Sequence, residues 1–369
     1  MQTPMSLPRF HDLSVKRVSP EAAGAVAITL AIPPAQRETF HFEPGQYLTL
    51  RAQVQGQDVR RSYSISSPRS RLSAQGEIEV GIRPVQGGLF SNWAATQLRA
   101  GDVLAVMPPQ GRFTVHRPRA LHRVGFAAGS GITPILSIAA TTLEEQAQSK
   151  FTLVYGNRRM HSVMFNEALQ DLKDRYPDRF TMIHVLSRQA QEVDLLQGRI
   201  DAPKVRAIVD ALLPVASMDE VFICGPQAMI DATQQTLIDL GLNPARIQTE
   251  RFTTADAQAA KVQADVKAPT PAAQAQGGVA LTVMLDGKVH EVAVGSEQFL
   301  LDAALEAGLD LPYSCKGGVC CTCRCKVLQG QVRMERNFTL QADEMAKGFV
   351  LSCQARALTP TVVLSYDER

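Results

Sequence analysis

Residues 313–325 read Tyr-Ser-Cys-Lys-Gly-Gly-Val-Cys-Cys-Thr-Cys-Arg-Cys and hold five of the chain's seven cysteines. Cys315, Cys320 and Cys323 are spaced C-x4-C-x2-C, and Cys353 follows after a gap. The spacing suits a [2Fe–2S] cluster, which needs four thiolates and takes three of them from one short loop. Gly317 and Gly318 let the backbone turn and bring its amides close to the sulfurs. Structural zinc is the alternative, but zinc sites more often show paired C-x2-C units. A disulfide framework is disfavoured, because the cysteines are odd in number and six lie in one terminal stretch. Cys321 and Cys325 receive no ligand role.

Two further groups of residues carry chemistry. In Arg61-Ser62-Tyr63-Ser64, the guanidinium suits a pyrophosphate, the phenol ring suits stacking on a flat ring system, and the Ser64 hydroxyl suits a ring nitrogen. Gly87-Gly88-Leu89-Phe90-Ser91 reads as a helix entry whose free amides bind phosphate oxygens. The second group is Gly129-Ser130-Gly131-Ile132-Thr133-Pro134, Tyr155–Arg158, Ser187-Arg188 and Cys224-Gly225-Pro226. Pro134 stands where G-x-G-x-x-G would have its third glycine, so the loop alone is a weak signal. Each motif also has a plain structural reading: a half-buried strand, an ordinary helix entry, a solvated arginine, a small buried cysteine.

The elements around these residues give them their places. Up to about Val115, short β-rich runs recur at Ala25–Ile32, Tyr47–Val54, Ser62–Ser66, Glu77–Arg83 and Val103–Met107, separated by turn signals. They predict a small antiparallel barrel, with one helix over Ser91–Leu98. From about Leu121 to Phe252, strands at Val124–Ala127, Phe151–Tyr155, Phe180–Leu186 and Glu220–Cys224 alternate with helices, which predicts a parallel sheet. All four motifs of the second group then fall at the carboxyl ends of its strands, where such sheets bind ligands. From Val279 a hairpin (Leu281–Leu285 and Val289–Val294), a helix (Phe299–Ala307), the cysteine loop and a strand at Cys325–Leu328 follow, and Cys353 comes after the short run Phe349-Val350-Leu351.

With 369 residues, 45% hydrophobic and 20% charged, the chain has the composition of a globular protein of two or three domains. A net charge of +2 argues against a dedicated nucleic-acid binder. No apolar run is long enough for a membrane span, and residues 1–10 lack the apolar core of a secretion signal. A cytoplasmic location, where thiols stay reduced, is therefore expected. Residues 253–278 are rich in Ala, Gln and Pro and read as a flexible linker with an r.m.s. span of roughly 25–30 Å. Such a tether would let a terminal module shuttle.

Arg-x-Tyr-Ser followed by Gly-Gly-x-x-Ser resembles the FAD-binding barrel of the ferredoxin–NADP reductase superfamily. Gly-Ser-Gly-Ile-Thr-Pro, Tyr-Gly-Asn-Arg and Cys-Gly-Pro resemble its NAD(P)-binding half, and the order from hairpin to late cysteine resembles a plant-type ferredoxin. The resemblance implies a multidomain β, α/β and α+β chain. Its parts are an FAD-binding antiparallel β-barrel (1–117), a doubly wound parallel-sheet NAD(P)-binding domain (118–252), the linker (253–278) and a β-grasp [2Fe–2S] ferredoxin domain (279–369). It implies that Arg61, Ser62, Tyr63, Ser64, Ile82, Gly87, Gly88, Leu89 and Ser91 hold FAD. Gly129, Ser130, Gly131, Thr133, Pro134, Asn157 and Arg158 would hold the dinucleotide, with Cys224, Gly225 and Pro226 near the nicotinamide. Ser64 and Cys224 are the implied catalytic residues, and Cys315, Cys320, Cys323 and Cys353 the implied cluster ligands. Ser187 and Arg188 suit a ribose 2′-phosphate, and no carboxylate follows that strand directly, which favours NADPH over NADH.

Residues 316–330, 334–337, 350–355, 222–226 and 250–252 are similar to the reductase subunits of phenylacetyl-CoA 1,2-epoxidases. That similarity implies an electron path from NADPH through FAD and the cluster to a di-iron oxygenase in phenylacetate catabolism. The reductase of another multicomponent oxygenase, an aromatic-ring dioxygenase or a steroid hydroxylase, shares every cofactor motif. A cluster-based redox sensor is the reading from another class, and the nicotinamide and flavin motifs argue against it. Lys316, Arg324 and Lys326 crowd the cysteine loop and raise the expectation of an acidic docking face on the partner.

Overall fold

The computed structural model describes residues 9–115, 121–252, 278–295 and 297–368. The expected linker lies, but for Gly278, outside the described residues. The chain forms two compact units, the larger made of His11–Val59 and Tyr63–Phe252 and the smaller centred on the C-terminal residues.

In the larger unit, the first six strands are β1 (His11–Pro20), β2 (Val26–Ala31), β3 (Tyr47–Val54), β4 (Gln57–Ser64), β5 (Glu77–Ile82) and β6 (Val103–Val106). Helix α1 (Arg69–Gln75) precedes β5, and α2 (Leu89–Thr96) lies between β5 and β6. The strands form one sheet in the order β4-β3-β6-β1-β2-β5. Its two edges meet where Ile65 bridges Val80 in antiparallel fashion and the Ser66 amide donates to the Glu79 carbonyl at 2.8 Å. The sheet is thereby closed into a barrel, which removes the exposed edges an open sheet would carry. β1 was not among the expected strands. In its sequence, His-Asp-Leu-Ser-Val-Lys-Arg-Val-Ser-Pro, only Leu13 and Val15 are fully buried, so most of it faces solvent and the period-two signal is short. α2 begins two residues earlier than expected, because Gly88 stands at its N-cap.

The same unit continues with β7 (His122–Ala128), α3 (Ile132–Glu145), β8 (Lys150–Asn157), α4 (Asn166–Arg175), β9 (Phe180–Leu186), α5 (Ala202–Leu212), β10 (Glu220–Gly225), α6 (Gln227–Asp239) and β11 (Ile247–Arg251). All four pairings in the sheet β11-β10-β7-β8-β9 are parallel. The chain winds outward from β7 to β9 and then returns to the other side of β7, so the switch point lies between β7 and β10. Period-two alternation sorts the side chains to two cores. Phe222 and Cys224 face the core that includes α3, while Val221 and Ile223 face the opposite one with α5 and α6. At the amino ends of β7 and β10, Arg123 Nε meets Glu220 at 2.8 Å with both side chains buried. That ion pair is remote from the carboxyl edge and is structural.

The smaller unit holds β12 (Val279–Leu285), β13 (Lys288–Val294), α7 (Leu300–Glu306), β14 (Arg324–Gln329), β15 (Val332–Met334), α8 (Ala342–Ala346), β16 (Phe349–Leu351), β17 (Ala355–Ala357) and β18 (Thr361–Ser365). Its main sheet runs β13-β12-β18-β14-β16, with β12 and β18 parallel and the other pairs antiparallel. Leu300, Leu301 and Ala304 of α7 pack into the core of this sheet. The cysteine loop joins α7 to β14, and Cys353 sits in a 3-10 turn after β16. No helix among the described residues is long and apolar enough to cross a membrane.

Candidate functional site: a cysteine nest and a dinucleotide edge

The loop between α7 and β14 must double back to present three sulfurs to one spot. Lys316 (φ 48°) and Gly318 (φ 78°) lie in the left-handed region and make the reversal. A side chain at Gly318 would press against the Arg336 carbonyl at 3.0 Å and Gln354 Cγ at 3.3 Å. Cys320, Cys323 and Cys353 are buried and Cys315 is half-buried. The four thiols meet in two pairs: Cys315 hydrogen-bonds Cys320, and Cys323 hydrogen-bonds Cys353. The Cys320 bond, helped by the amides of Gly317, Val319 and Cys320, holds the Cys315 thiol below the ordinary thiol range, while the paired sulfur and burial push Cys320 and Cys323 up. The Gly317 amide lies 3.2 Å from Cys315 Sγ.

Two pairs of sulfurs among inward-facing amides fit two bridged irons, each taking two thiolates. Among the described residues, no group of three or more His, Cys, Asp or Glu side chains is placed to hold a single metal ion. Cys325 is fully buried, and burial pushes its thiol up to about 12. Cys321 adopts φ 57°, and its thiol lies 2.9 Å from Thr339 Oγ1.

The cations around this loop do not form an open basic face. Lys316 pairs with Asp302 at 2.7 Å, Arg324 with Glu344 at 3.1 Å, and Lys326 with Glu368. Arg324 also lies over the Phe349 ring at 3.5 Å. Each of these three cations has a carboxylate partner within the module.

In the barrel, Arg61, Ser62, Tyr63 and Ser64 end β4. The Tyr63 ring is half-buried, 5.6 Å from the Phe90 ring, and Ser64 is buried. The Arg61 guanidinium donates to the Arg60 carbonyl at 2.8 Å. Gly87 (φ 75°) and Gly88 lead into α2, with Leu89 as its first residue. A side chain at Gly88 would collide with Val85 Cγ2 at 2.4 Å and Ser91 Oγ at 2.5 Å, so the turn needs glycine there. The Ser91 hydroxyl accepts from the Val85 amide at 3.3 Å and pins the turn against the helix. The first amides of α2 have no partner within the helix and suit a phosphate.

Ile82 ends β5 where the barrel meets the parallel sheet. A side chain at Gly81 would strike Thr133 Cγ2 at 2.7 Å and the Phe165 ring at 2.8 Å, and one at Gly129 would meet Arg83 Nη1 at 3.0 Å. The sequence motifs of the barrel and of the glycine loop are thus brought together. Gly129 is left-handed (φ 55°), and its carbonyl accepts from the Tyr155 hydroxyl at 2.9 Å. Thr133 is buried, its hydroxyl donating to the Ser130 carbonyl at 3.0 Å, and Pro134 is buried in α3. Gly131 matters for space alone: a Cβ there would lie 2.1 Å from the Cys224 carbonyl oxygen. A side chain at Gly225 would come within 3.2 Å of the Ala128 amide nitrogen, and Pro226 caps α6. Loop and strand therefore touch backbone to backbone at the switch point.

Cys224 is wholly buried there, and desolvation keeps its thiol protonated. At the ends of β8 and β9 the Ser187 amide donates to the Asn157 carbonyl at 2.9 Å and the Arg188 amide to the Arg158 carbonyl at 2.8 Å. Both arginines are exposed, on neighbouring stretches of backbone. One residue escaped the reading of site residues: Glu250, register partner of Cys224 on β11. Burial raises its carboxyl to about 8. Glu250 is half-buried, and its setting, Gln-Thr-Glu-Arg, reads as a polar edge.

Comparison with known proteins agrees with this division. Residues 16–115 match an oxidoreductase FAD-binding domain, 126–235 an oxidoreductase NAD-binding domain, and 283–358 a 2Fe-2S iron-sulfur cluster binding domain. The chain is 45% identical to a subunit of the 1,2-phenylacetyl-CoA epoxidase of Escherichia coli (strain K12), over 98% of each chain. It is 35% identical to the ferredoxin reductase component of 3-ketosteroid-9-alpha-monooxygenase from Rhodococcus rhodochrous, over 96% of each. Among solved structures, phthalate dioxygenase reductase shares the fold, with a TM-score of 0.58 at 22% identity over 96% of this chain and 98% of that one.

Proposed function

The chain belongs to the family of oxygenase reductase components that includes this phenylacetyl-CoA epoxidase subunit and the ketosteroid monooxygenase ferredoxin reductases, and from that premise we propose its particular task. It draws electrons from NADPH and delivers them singly to the di-iron oxygenase of a phenylacetyl-CoA 1,2-epoxidase in phenylacetate degradation, in the cytoplasm. The observation that carries this reading is the 45% identity over 98% of both chains, which includes the cysteine loop. When bound, nicotinamide, FAD and the [2Fe–2S] cluster supply the redox chemistry, two electrons entering together and leaving one at a time.

The residues of the chain hold and orient these groups. Cys315, Cys320, Cys323 and Cys353 ligate the irons. Tyr63 stacks on the flavin ring, Ser64 hydrogen-bonds its reactive edge, and Arg61 with the Gly87–Ser91 turn binds the pyrophosphate. Ile82 lines the flavin. Gly129, Ser130, Gly131, Thr133 and Pro134 form the floor under the dinucleotide, with Asn157 and Arg158 at its rim. Cys224, Gly225 and Pro226 close the nicotinamide end, and the neutral Cys224 thiol excludes water without adding charge. Ser187 and Arg188, beside Arg158, take the 2′-phosphate of NADPH.

The test is reconstitution. Purified holoprotein, the candidate di-iron oxygenase, phenylacetyl-CoA and NADPH should give the epoxide with matched NADPH consumption. The 35% identity to a steroid hydroxylase reductase favours a second reading, in which this chain serves another oxygenase. Reduction of artificial acceptors without any epoxide would move the assignment to it.

A further inference from the structure

Four sulfurs from two separate segments must be held in register, and the fold ties them at two points. At one end, Ser352 binds the Cys323 carbonyl through both its amide (3.2 Å) and its hydroxyl (3.0 Å), and the buried Tyr366 hydroxyl donates to Ser352 Oγ at 2.7 Å. At the other end stands Gln354, which is 5% exposed. Its side-chain amide nitrogen lies 2.9 Å from the Lys316 carbonyl, 2.8 Å from the Cys353 carbonyl and 3.8 Å from Cys353 Sγ. Its Cγ rests where a side chain at Gly318 would have to go. The two ties differ in kind. Ser352 is tied to the Cys323 carbonyl and to Tyr366, whereas the amide of Gln354 lies within reach of the sulfur of Cys353.

We propose that Gln354 is a positioning residue that clasps the Cys315–Lys316 corner of the loop to Cys353 and sets the reduction potential of the centre through its N–H groups. The inference rests on the assignment of the four cysteines as cluster ligands. The two protons of this buried amide are shared among three acceptors, the Lys316 and Cys353 carbonyls and the Cys353 sulfur, so its positive edge lies against the sulfur as well as the carbonyls. Donors directed at cluster sulfurs favour the reduced, more negative state. Removing them should disfavour it, and a carboxylate in the same place should do so further. A clasp also slows escape of the metal, because Cys353 cannot swing away from the loop while the amide holds both.

The experiment uses the full-length holoprotein with Gln354→Met, which keeps length without a donor, Gln354→Glu, which adds charge at the same shape, and Ser352→Ala as the comparison. Flavin content and the parent's visible and electron paramagnetic spectra are recorded first. A parent without a [2Fe–2S] spectrum sinks the ligand assignment itself, separately from the clasp. Expected for Gln354→Met are a lower reduced-to-oxidised ratio at fixed poise and faster loss of iron to a chelator, each by about three- to tenfold, the size of one lost hydrogen bond. Gln354→Glu should exceed it in both. Ser352→Ala should hasten iron loss while moving the ratio less. Variants that load flavin at the parent ratio yet never assemble a cluster also support the clasp. Parent-like ratio, g-values and chelation rate in both Gln354 variants would overturn it.

Discussion

In the C-terminal module the site is made of side chains. Four sulfurs come from two short segments, and glycine and left-handed turns serve only to aim them. At the carboxyl edge of the parallel sheet the site is made of backbone. Gly131 and the Cys224 carbonyl approach so closely that a single methyl group would sit 2.1 Å from an oxygen. The first site depends on the identity of the atoms presented. The second depends on the absence of atoms. The two are therefore expected to fail differently, one by losing its cofactor and the other by losing geometry.

The largest effect should follow Cys320→Ser or Cys323→Ser. Either variant should lose the cluster's visible absorption and all transfer to the oxygenase while keeping FAD and nicotinamide-dependent reduction of a two-electron dye. Loss of the flavin as well would mean that the modules do not fail separately. Next comes Gly131→Ala. With no room for its Cβ, the loop must lift from β10, and a displacement near 1 Å at a reacting centre costs about 100-fold in rate. A stopped-flow measurement of flavin reduction should show that loss with the iron content unchanged. If Gly131→Ala reduced flavin at the parent rate, the backbone account of this edge would be wrong.

Legibility in the sequence divides along the same line. The gathering of the four cysteines was readable because their spacing is written directly in residue types. The alternation of strand and helix, and the motifs at strand ends, were readable from period and order. The closure of the barrel by Ile65 and Val80 was not, since a bridge between distant strands leaves no local pattern. Neither was β1, whose outward face dilutes its apolar signal. The raised carboxyl of Glu250 was not legible either, since Gln-Thr-Glu-Arg reads as a polar edge whatever packs against it. The ion pairs of the loop cations with Asp302, Glu344 and Glu368 were not legible for the same reason, since those carboxylates lie 14 to 42 residues away.

Arg188→Glu should cut kcat/KM for NADPH about tenfold, as expected for a lost charge-assisted contact, with little change for NADH. An equal fall for both cofactors would remove Arg188 from the 2′-phosphate. Glu250 gives a pH effect on stability. Its carboxyl titrates at about 8 in the folded chain against an ordinary value of 4.5, so the folded state holds a proton that the unfolded state releases. Stability from this group is full below about 4.5 and is lost as pH rises through about 8. Glu250→Gln should thus raise the unfolding temperature at pH 8.5 more than at pH 5. The same gain at both values would mean that burial does not control this carboxyl.

The role proposed for the cysteine nest is that of a one-electron outlet for a path that begins at the glycine edge. It is tested most directly by mixing anaerobic holoprotein with a stoichiometric amount of NADPH and recording low-temperature electron paramagnetic resonance. The signal of a reduced [2Fe–2S] centre should appear within the turnover time and be absent in Cys323→Ser. Oxidation of NADPH and bleaching of the flavin with a cluster that stays oxidised would contradict it.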